Sequence, residues 1–263
     1  MSDAARLPRE RGATFGALVV FAVLLAVWEI CLRALPAPPL YLPPPTRIAR
    51  RLVEAVAHGH LLVDVAATLR RLALGAALGG LPALALGLAL GWSRRLRHVV
   101  DPLVAALHPL PKVALLPLLL LVFGIGESSR LVLVAVGAFF PLLVSAMAGV
   151  REIPAAHFEV ARSCGARRGL VLRRIVLPGS LPLLLAGARL SLNAALVAAL
   201  VAELLTARDG LGERLWFAWQ TLKVDELYAT TAVVALLGLA LQGTLDLLAR
   251  QLTPWRDDDD AAR

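Results

Sequence analysis

The sequence predicts an all-α, polytopic membrane protein with about six transmembrane helices and a polar cytoplasmic loop that contains a short helix. Of the 263 residues, 59% are hydrophobic, compared with roughly 45–50% in soluble globular domains. The apolar residues form runs of about the 20 residues that a helix needs to cross the hydrocarbon core. Because lipid offers the backbone no hydrogen bonds, such runs must be helical. The composition therefore excludes a soluble enzyme.

Six apolar runs are the candidate spans, and they cover residues 16–35, 65–91, 99–123, 131–150, 181–205 and 228–248. The first run follows three arginines, as a signal peptide would, but its length and the lack of a small-x-small cleavage site predict a retained helix. The second run carries glycines at four-residue intervals or multiples of them, which favours close helix packing. The third contains several prolines, so we expect it to be kinked or broken in two.

The basic residues of the loops predict on which side of the membrane each loop lies. Segments 1–14, 92–98, 151–180 and 250–263 hold 15 Lys and Arg, whereas segments 33–63, 124–130 and 206–228 hold 8. Cytoplasmic loops are enriched in these residues, so both termini and the 151–180 loop are expected in the cytoplasm. The net charge of +8 is thus a topology signal, and it requires no nucleic-acid partner.

These features divide the chain into three parts: a cytoplasmic N-terminal segment, 1–14, a single membrane domain, 15–253, and an acidic cytoplasmic tail, 254–263. Within the membrane domain, prolines after the first span are followed by an amphipathic pattern. The pattern predicts a short helix at the outer interface. Its apolar positions are Ile48, Leu52, Val53 and Val56.

The most informative polar segment runs from Glu159 to Pro178, EVARSCGARRGLVLRRIVLP. Pro154, just ahead of it, suits the first turn of a helix, and Gly165 can adopt the positive φ at which a helix ends. We therefore predict a short helix over 154–164, a turn at Gly165-Ala166 and a second helix that Pro178 ends. An alternative is an ordinary basic loop whose arginines anchor it at the lipid headgroups.

The residue types and spacing of this segment resemble the signature loop of the membrane subunits of bacterial ABC importers. In that family the loop docks on a separate ATP-hydrolysing subunit, and its movement drives the membrane helices. We expect Ala161 to keep one surface of the short helix small enough for another protein to pack closely. The docking positions that the resemblance implies are Glu159, Ala161, Arg162, Gly165, Ala166, Ile175, Leu177 and Pro178.

The resemblance extends over nearly the whole chain and is closest to permeases of the nitrate, sulfonate and taurine group. It implies a permease for a small anionic nutrient, such as an aliphatic sulfonate, taurine or nitrate. It also implies a permease homodimer, two ATPase subunits and an extracytoplasmic substrate-binding protein. One departure is Arg130, where the family more usually has lysine. The matching segments are Leu42-Pro43, Thr68, Arg71 and Gly75, then 107–130, 177–205 and 210–212.

The chain is not expected to be an enzyme or to bind a cofactor itself. A phosphate-binding loop requires a glycine-lysine pair followed by Ser or Thr, and the two lysines, Lys112 and Lys223, follow proline and leucine. ATP and Mg²⁺ are therefore expected on the partner subunit. His58 and His60 lack further ligands nearby in sequence, so they indicate a solvated loop rather than a metal centre.

Three polar residues within the spans are candidates for an anion-friendly translocation path: Lys112, Arg189 and Asn193. Ionisable groups in a membrane usually face the protein interior or an aqueous path. For each of them the alternative is a structural role. Arg70 and Arg71 would then reach the interface, and Glu203 or Asp246 would form an interhelical pair.

A stand-alone secondary transporter or channel is the competing hypothesis for the function. It would require intramembrane acids arranged for proton or sodium coupling, and internal two-fold repeats. The intramembrane acids of this chain are scattered and unrepeated, which favours the ATP-driven permease.

Overall fold

The computed structural model describes residues 7–34, 41–57 and 60–253. These residues form eleven α-helices, and no strand occurs among them. A 3₁₀ turn, Lys112–Leu115, leads into α5, and a π-helical turn, Leu172–Val176, joins α8 to α9. The helices are α1 Leu7–Ala34, α2 Pro45–Ala57, α3 His60–Trp92, α4 Arg94–Leu107, α5 Leu116–Phe123, α6 Glu127–Arg151, α7 Ala155–Ser163, α8 Arg168–Val171, α9 Leu177–Thr206, α10 Leu211–Gln220 and α11 Val224–Leu252.

The helices confirm an all-α, polytopic membrane protein. Four helical stretches are long and apolar enough to cross a membrane, namely α3, α6, the continuous Arg168–Thr206 stretch and α11. A fifth arises if α4 and the segment Lys112–Phe123, which meet at 87°, count as one bent span. Helix α1 has 28 residues and coincides with the first apolar run as far as Ala34. It begins at Leu7, inside the predicted N-terminal segment.

The core of the bundle is α6, which packs between α3 and α9. Glycines make this close approach possible: a Cβ atom built on Gly79 of α3 would lie 2.0 Å from the Ala135 carbonyl oxygen of α6. On the other side of α6, a Cβ on Gly187 of α9 would lie 2.2 Å from the Ser145 Cβ. Gly79, one of the glycines predicted to favour close packing, therefore lies where α3 and α6 approach each other closely.

The third apolar run is broken, as its prolines predict. Ser93 caps the start of α4 by accepting a hydrogen bond from the Leu96 N–H at 3.3 Å. The helix ends at Leu107, and the chain turns through Pro109 and Pro111 before the 3₁₀ turn begins. Because neither proline has an N–H to donate, the helical ladder cannot continue through this segment.

Two ends of the bundle carry different polar segments. At one end, which we call the α10 end, α2 and α10 pack beside the start of α3, with Ala55, Leu61 and Leu211 buried together. At the other, the α7 end, the end of α3 and the start of α4 meet α7 and α8 around a shared cavity. The loops that the charge bias assigned to opposite sides are thus grouped at opposite ends.

The predicted amphipathic helix is α2. It lies at the end of the bundle, and it also packs against other helices of the protein. Arg51 of α2 donates to Glu226 of α11 at 2.9 Å, and Ala55 is buried, while Val53 and Val56 remain exposed. Two features predicted from sequence, His58 and the acidic tail 254–263, lie outside the described residues.

Candidate coupling loop and membrane polar sites

The predicted short helix and turn of the polar loop are present as α7 and the residues after it. Pro154 precedes the first residue of α7, and Gly165 has a φ of +65°. The Ala166 N–H donates to the Ala161 carbonyl at 2.9 Å, and the Gly165 N–H donates to the Arg162 carbonyl at 3.0 Å. These two bonds form a Schellman motif, which requires a left-handed residue at the glycine position.

Pro178 does not end the second helix, so that prediction was wrong. The Leu177 N–H donates to the Leu172 carbonyl across the π-turn, and Pro178 lies in the first turn of α9. Pro178 has no N–H to donate, and it fits here because the π-turn just before it has already replaced the regular i→i−4 spacing. The π-turn thus lets helix run without a stop from Arg168 to Thr206, over 39 residues.

Ala161 is buried, with 7% of its surface exposed, and it lines the cavity that lies beside Val160. The expectation that its small side chain lets another protein pack closely stays a prediction. The exposed surface of α7 carries Glu159 and Val160, and the exposed Cys164 follows it. Beside Val160 lies an open, mainly apolar cavity of about 850 Å³ between α7 and α8. Its lining includes Ala156, Val160, Cys164, Leu170, Val171 and Ile175.

The arginines at the two ends of the bundle have different partners. At the α10 end, arginines form ion pairs with carboxylates, as Arg47 does with Asp225 at 2.7 Å and Arg214 with Glu226 at 2.7 Å. At the α7 end, no ion pair joins an arginine to a carboxylate within the part of the chain that the structure describes. The uncompensated arginines are Arg94, Arg95, Arg97, Arg151, Arg162, Arg167, Arg168, Arg173 and Arg174.

A buried polar cluster lies at the α10 end, and of this cluster sequence reasoning considered one feature, an interhelical pair of Glu203, as a structural alternative. The expectation that Arg71 reaches the interface was wrong, since its side chain is 1% exposed. Its guanidinium donates to the fully buried Glu203 at 2.9 Å and to Glu127 at 2.6 Å. It also donates to the side chain of Asp209 at 2.5 Å. Arg71 thereby joins α3, α6, α9 and the loop before α10.

The same cluster holds the backbone of the loop before α10. Gly210 N–H donates to Asp64 at 3.0 Å, Leu211 N–H to Thr68 at 3.0 Å, and Gly212 N–H to Glu203 at 3.0 Å. Gly210 has a φ of +106°, and a Cβ there would lie 2.6 Å from the Glu203 carboxyl carbon. A glycine is therefore required by conformation and by space.

Sequence reasoning expected Arg70 and Arg71 at the same place, the membrane interface, but the structure places only Arg70 there. Its side chain is 59% exposed and reaches Glu127 at 3.5 Å, so it lies at the surface as expected. The helical turn places Arg71 on the opposite side, toward α9. Thr68 lies three residues before Arg71 and Gly75 four residues after it, so all three share one face of α3, and that face is buried. This spacing was the sequence signal that could have predicted the burial of Arg71.

The three path candidates do not meet at one place. Arg189 pairs with Asp246 of α11 at 2.6 Å, which is the interhelical pair considered as the structural alternative. Asn193, one turn further along α9, accepts from the Gln242 amide of α11 at 3.3 Å. Lys112 lies elsewhere, with its ammonium 4.8 Å from the centre of the Phe140 ring of α6.

The fold and these sites define a class of protein: a polytopic membrane subunit with one helical loop extending from the bundle. Among the described residues, no group of three or more His, Cys, Asp or Glu is placed to hold a metal ion. Residues 83–257 match the family described as the binding-protein-dependent transport system inner membrane component. The chain belongs to this family.

Individual relatives agree with this assignment. The chain is 35% identical to the taurine transport system permease protein TauC of Escherichia coli (strain K12), over 96% of this chain and 94% of the relative. It is 32% identical to the putative aliphatic sulfonates transport permease protein SsuC of Bacillus subtilis (strain 168), over 95% and 90%. An inward-facing structure of the MetNI methionine ABC transporter shares the fold, with a TM-score of 0.65 at 22% identity, covering 74% of this chain and 96% of that one.

The protein is therefore a permease subunit of a binding-protein-dependent ABC importer, located in the inner membrane as a multi-pass protein. It is a transport subunit and not an enzyme, and ATPase activity lies on a separate subunit. Its similarity to taurine and sulfonate permeases confirms the group predicted from sequence.

Proposed function

We propose that this chain forms the translocation path for a small anionic nutrient, an aliphatic sulfonate, taurine, nitrate or a similar anion. ATP hydrolysis on a partner subunit drives it through the 159–178 loop. The observation that carries the coupling part is the geometry of that loop: α7 is exposed, its turn is fixed by a glycine, and the following helix is continuous with α9. The sulfonate part is supported by the names of the two permeases to which the chain is similar.

In this proposal, α7 and the adjoining apolar cavity contact the ATPase subunit. Val160 and Leu170 are exposed apolar side chains on either side of the cavity. Arg162 and Arg168 add positive charge that no described carboxylate neutralises. An apolar centre with a polar rim is the common composition of a protein interface. ATP and Mg²⁺ are then bound by the partner, and none is bound by this chain.

The complete transporter would contain two copies of this permease, two ATPase subunits and an extracytoplasmic binding protein. The α7 end then faces the cytoplasm together with both termini. The uncompensated arginines at that end support this orientation, because cytoplasmic segments carry the excess of basic residues. The ion pairs at the α10 end leave that end with far less net positive charge.

The docking proposal is tested by copurification of this permease with its coexpressed ABC ATPase subunit. Gly165→Val places a β-branched residue at a φ of +65°, so the turn after α7 must change. Gly169→Val is the matched control, because neither glycine has any atom within 4 Å of a built Cβ and only Gly165 has a positive φ. Glu159→Arg reverses a charge on the exposed surface of α7.

We expect Gly165→Val and Glu159→Arg to lose the ATPase subunit and the ATPase activity that the binding protein stimulates, while Gly169→Val retains both. Full recovery with both loop variants would contradict docking at this loop. The purified permease should also move no solute when reconstituted alone with an ion gradient. Uptake under those conditions would instead establish a stand-alone secondary transporter.

For the path, we propose that Lys112, Arg189 and Asn193 all lie near the route of the anion, on α9 and on the segment after the break. Arg189 and Asn193 share one face of α9 toward α11. Lys112 stands at the break between α4 and α5. Their separate partners imply that they contribute differently.

A further inference from the structure

We infer that Lys112 is the residue that binds the anionic group of the substrate inside the membrane, whereas Arg189 serves to hold α9 against α11. The inference rests on the proposed function and assigns its anion contact to one side chain. Three features of the structure carry it: the depth of the ammonium, the lack of a carboxylate beside it, and the broken helix that presents it.

The Lys112 ammonium lies near the middle of the membrane-spanning bundle. It contacts the ring of Phe140 at 4.8 Å from the centroid, and Phe140 is in the middle of α6, which runs from Glu127 to Arg151. At 1.5 Å per residue, Phe140 lies about 20 Å along the helix from Glu127. The cation is therefore far from either headgroup region, where a lysine would be hydrated.

The charge of Lys112 is not neutralised by any described side chain. The other cations within the bundle have carboxylate partners: Arg71 pairs with Glu203 at 2.9 Å and Arg189 with Asp246 at 2.6 Å. Lys112 instead donates to the backbone carbonyl of His108 and rests on an aromatic ring. A carbonyl and a ring stabilise a cation without neutralising it. An unpaired intramembrane cation marks an ion or substrate path.

The surrounding backbone is suited to a path and poorly suited to lipid. Pro109 and Pro111 interrupt the helical ladder at this depth, and non-helical backbone in a membrane is tolerated where it lines a cavity or is buried in protein. Residues 108–111 are exposed in the single chain, so this segment is not buried in the subunit itself. Transporters commonly bind substrate at such discontinuous helices.

The N–H donors of the ammonium that remain unused suit the oxygens of an oxyanion. A lysine ammonium has three N–H donors, and the His108 carbonyl accepts one of them. The remaining donors are available to the oxygens of a sulfonate. Arg189 differs because the Asp246 carboxylate, 2.6 Å from its guanidinium, already compensates its charge.

The test uses the fact that the chain has two lysines, Lys112 and Lys223. Labelling the lysines of the permease alone with ¹³Cε-lysine, and assembling it in nanodiscs with unlabelled ATPase subunits, keeps the ammonium N–H groups and gives each of its two lysines its own NMR signal, assigned with Lys112→Met and Lys223→Met. Ethanesulfonate is then titrated, with ethanesulfonamide as the uncharged probe. Lys223, whose ammonium lies 5.2 Å from the Phe217 ring centre, is the internal control for an aromatic-bound lysine.

We expect the Lys112 signal to shift and saturate with ethanesulfonate, with no shift from ethanesulfonamide and none at Lys223. A Lys112 signal that is unchanged, or a Lys223 signal that moves equally, would overturn the inference. This readout does not depend on turnover. A saturating shift in a transporter that fails to import any sulfonate would retain the anion site and reject the proposed sulfonate import.

Uptake of labelled taurine into proteoliposomes with the ATPase and the binding protein supplies the second measurement. Lys112→Met should reduce uptake at least tenfold while the ATPase activity stimulated by the binding protein persists, and Lys112→Arg should restore it to within about threefold. The matched control variant Lys223→Met removes the other lysine, whose ammonium also lies against an aromatic ring, 5.2 Å from the Phe217 ring centre. It should stay within about twofold of the unmodified permease, and a loss equal to that of Lys112→Met would contradict the assignment.

Discussion

The Arg71 guanidinium and the Glu203 carboxylate form an ion pair at 2.9 Å in which neither side chain reaches solvent. Glu203 also accepts hydrogen bonds from Thr68 and from the Gly212 N–H. Burial of two charges is costly, so such a pair contributes little net stability by itself. Loss of one partner, however, strongly lowers the stability of the protein, because the other charge then remains buried without compensation.

Arg71→Met should destabilise the protein by about 3–5 kcal/mol, the usual cost of leaving one charge of a buried pair unpaired. Chemical unfolding in detergent, followed by tryptophan fluorescence, measures the change. Arg70→Met is the matched control, since Arg70 is largely exposed and a surface pair contributes at most about 1 kcal/mol. Adding Glu203→Met to Arg71→Met should recover part of the loss, and equal effects at positions 70 and 71 would contradict this assignment.

Gly79→Ala should destabilise the contact between α3 and α6, while Gly80→Ala should not. A Cβ on Gly79 would lie 2.0 Å from a backbone oxygen, whereas one on Gly80 would lie 3.4 Å from the flexible end of Leu142. Overpacking of this kind costs about 1–3 kcal/mol, and an alanine that fits in a helix gains about 0.5–1 kcal/mol over glycine. Thermal unfolding of the two variants compares them, and a stable Gly79→Ala protein would show that the helices are further apart.

Ionisation of Glu213 of α10 should lower the free energy of unfolding as the pH rises. Burial, followed by the negative charge of Asp64, raises the pKa of Glu213 above its ordinary value of 4.5. The folded state then binds more protons than the unfolded state between 4.5 and the raised pKa, so the free energy of unfolding falls as the pH rises through that window. Above this pH window the folded protein bears the full free-energy cost of an ionised Glu213, and below the window it bears none of it.

Glu213→Gln should therefore raise the melting temperature at pH 8, and the gain should shrink as the pH is lowered toward the ordinary carboxyl pKa. Melting temperatures across this range give the comparison. Glu159→Gln, on the exposed surface of α7, controls for the general loss of a surface carboxylate. A gain that does not depend on pH would rule out ionisation of Glu213 as its cause.

Cys164 offers a direct test of orientation. The chain has two cysteines, and both are exposed in the single chain, so Cys31→Ser leaves Cys164 as a unique label at the α7 end. We expect a membrane-impermeant maleimide to modify it in inverted vesicles from cells that express the permease without the ATPase subunit, and not in spheroplasts. Arg208→Cys, in a chain without the other cysteines, should give the opposite pattern, because Arg208 is exposed at the α10 end. The reverse pattern would place the α7 end outside the cytoplasm.

The positions of the spans and the break at 108–111 follow from local sequence, since hydropathy and proline act within a few residues. The α7 helix with its glycine turn is likewise a local signal. The Arg71–Glu203 pair joins residues far apart in the chain, and its existence depends on how α3 and α9 are rotated against each other. Side-chain chemistry alone therefore suggested a snorkelling arginine where packing produces a buried one.

The error at Pro178 has a different cause. A proline read in isolation predicts the end of a helix, but the neighbouring π-turn changes the hydrogen-bond spacing just before it. Such a turn has no simple residue signature, so its effect could not be anticipated.

The continuous helix from Arg168 to Thr206 has a mechanical consequence. At 1.5 Å per residue it is about 58 Å long, and it has α7 beside its first turn and Glu203 in its last. A force applied to α7 therefore acts on a rod whose far end is fastened to α10 by Glu203. The π-turn and Pro182 both interrupt the regular hydrogen-bond pattern of this rod, so it bends first over residues 172–182. A stiffer segment there would pass more of the movement to the opposite face of the membrane.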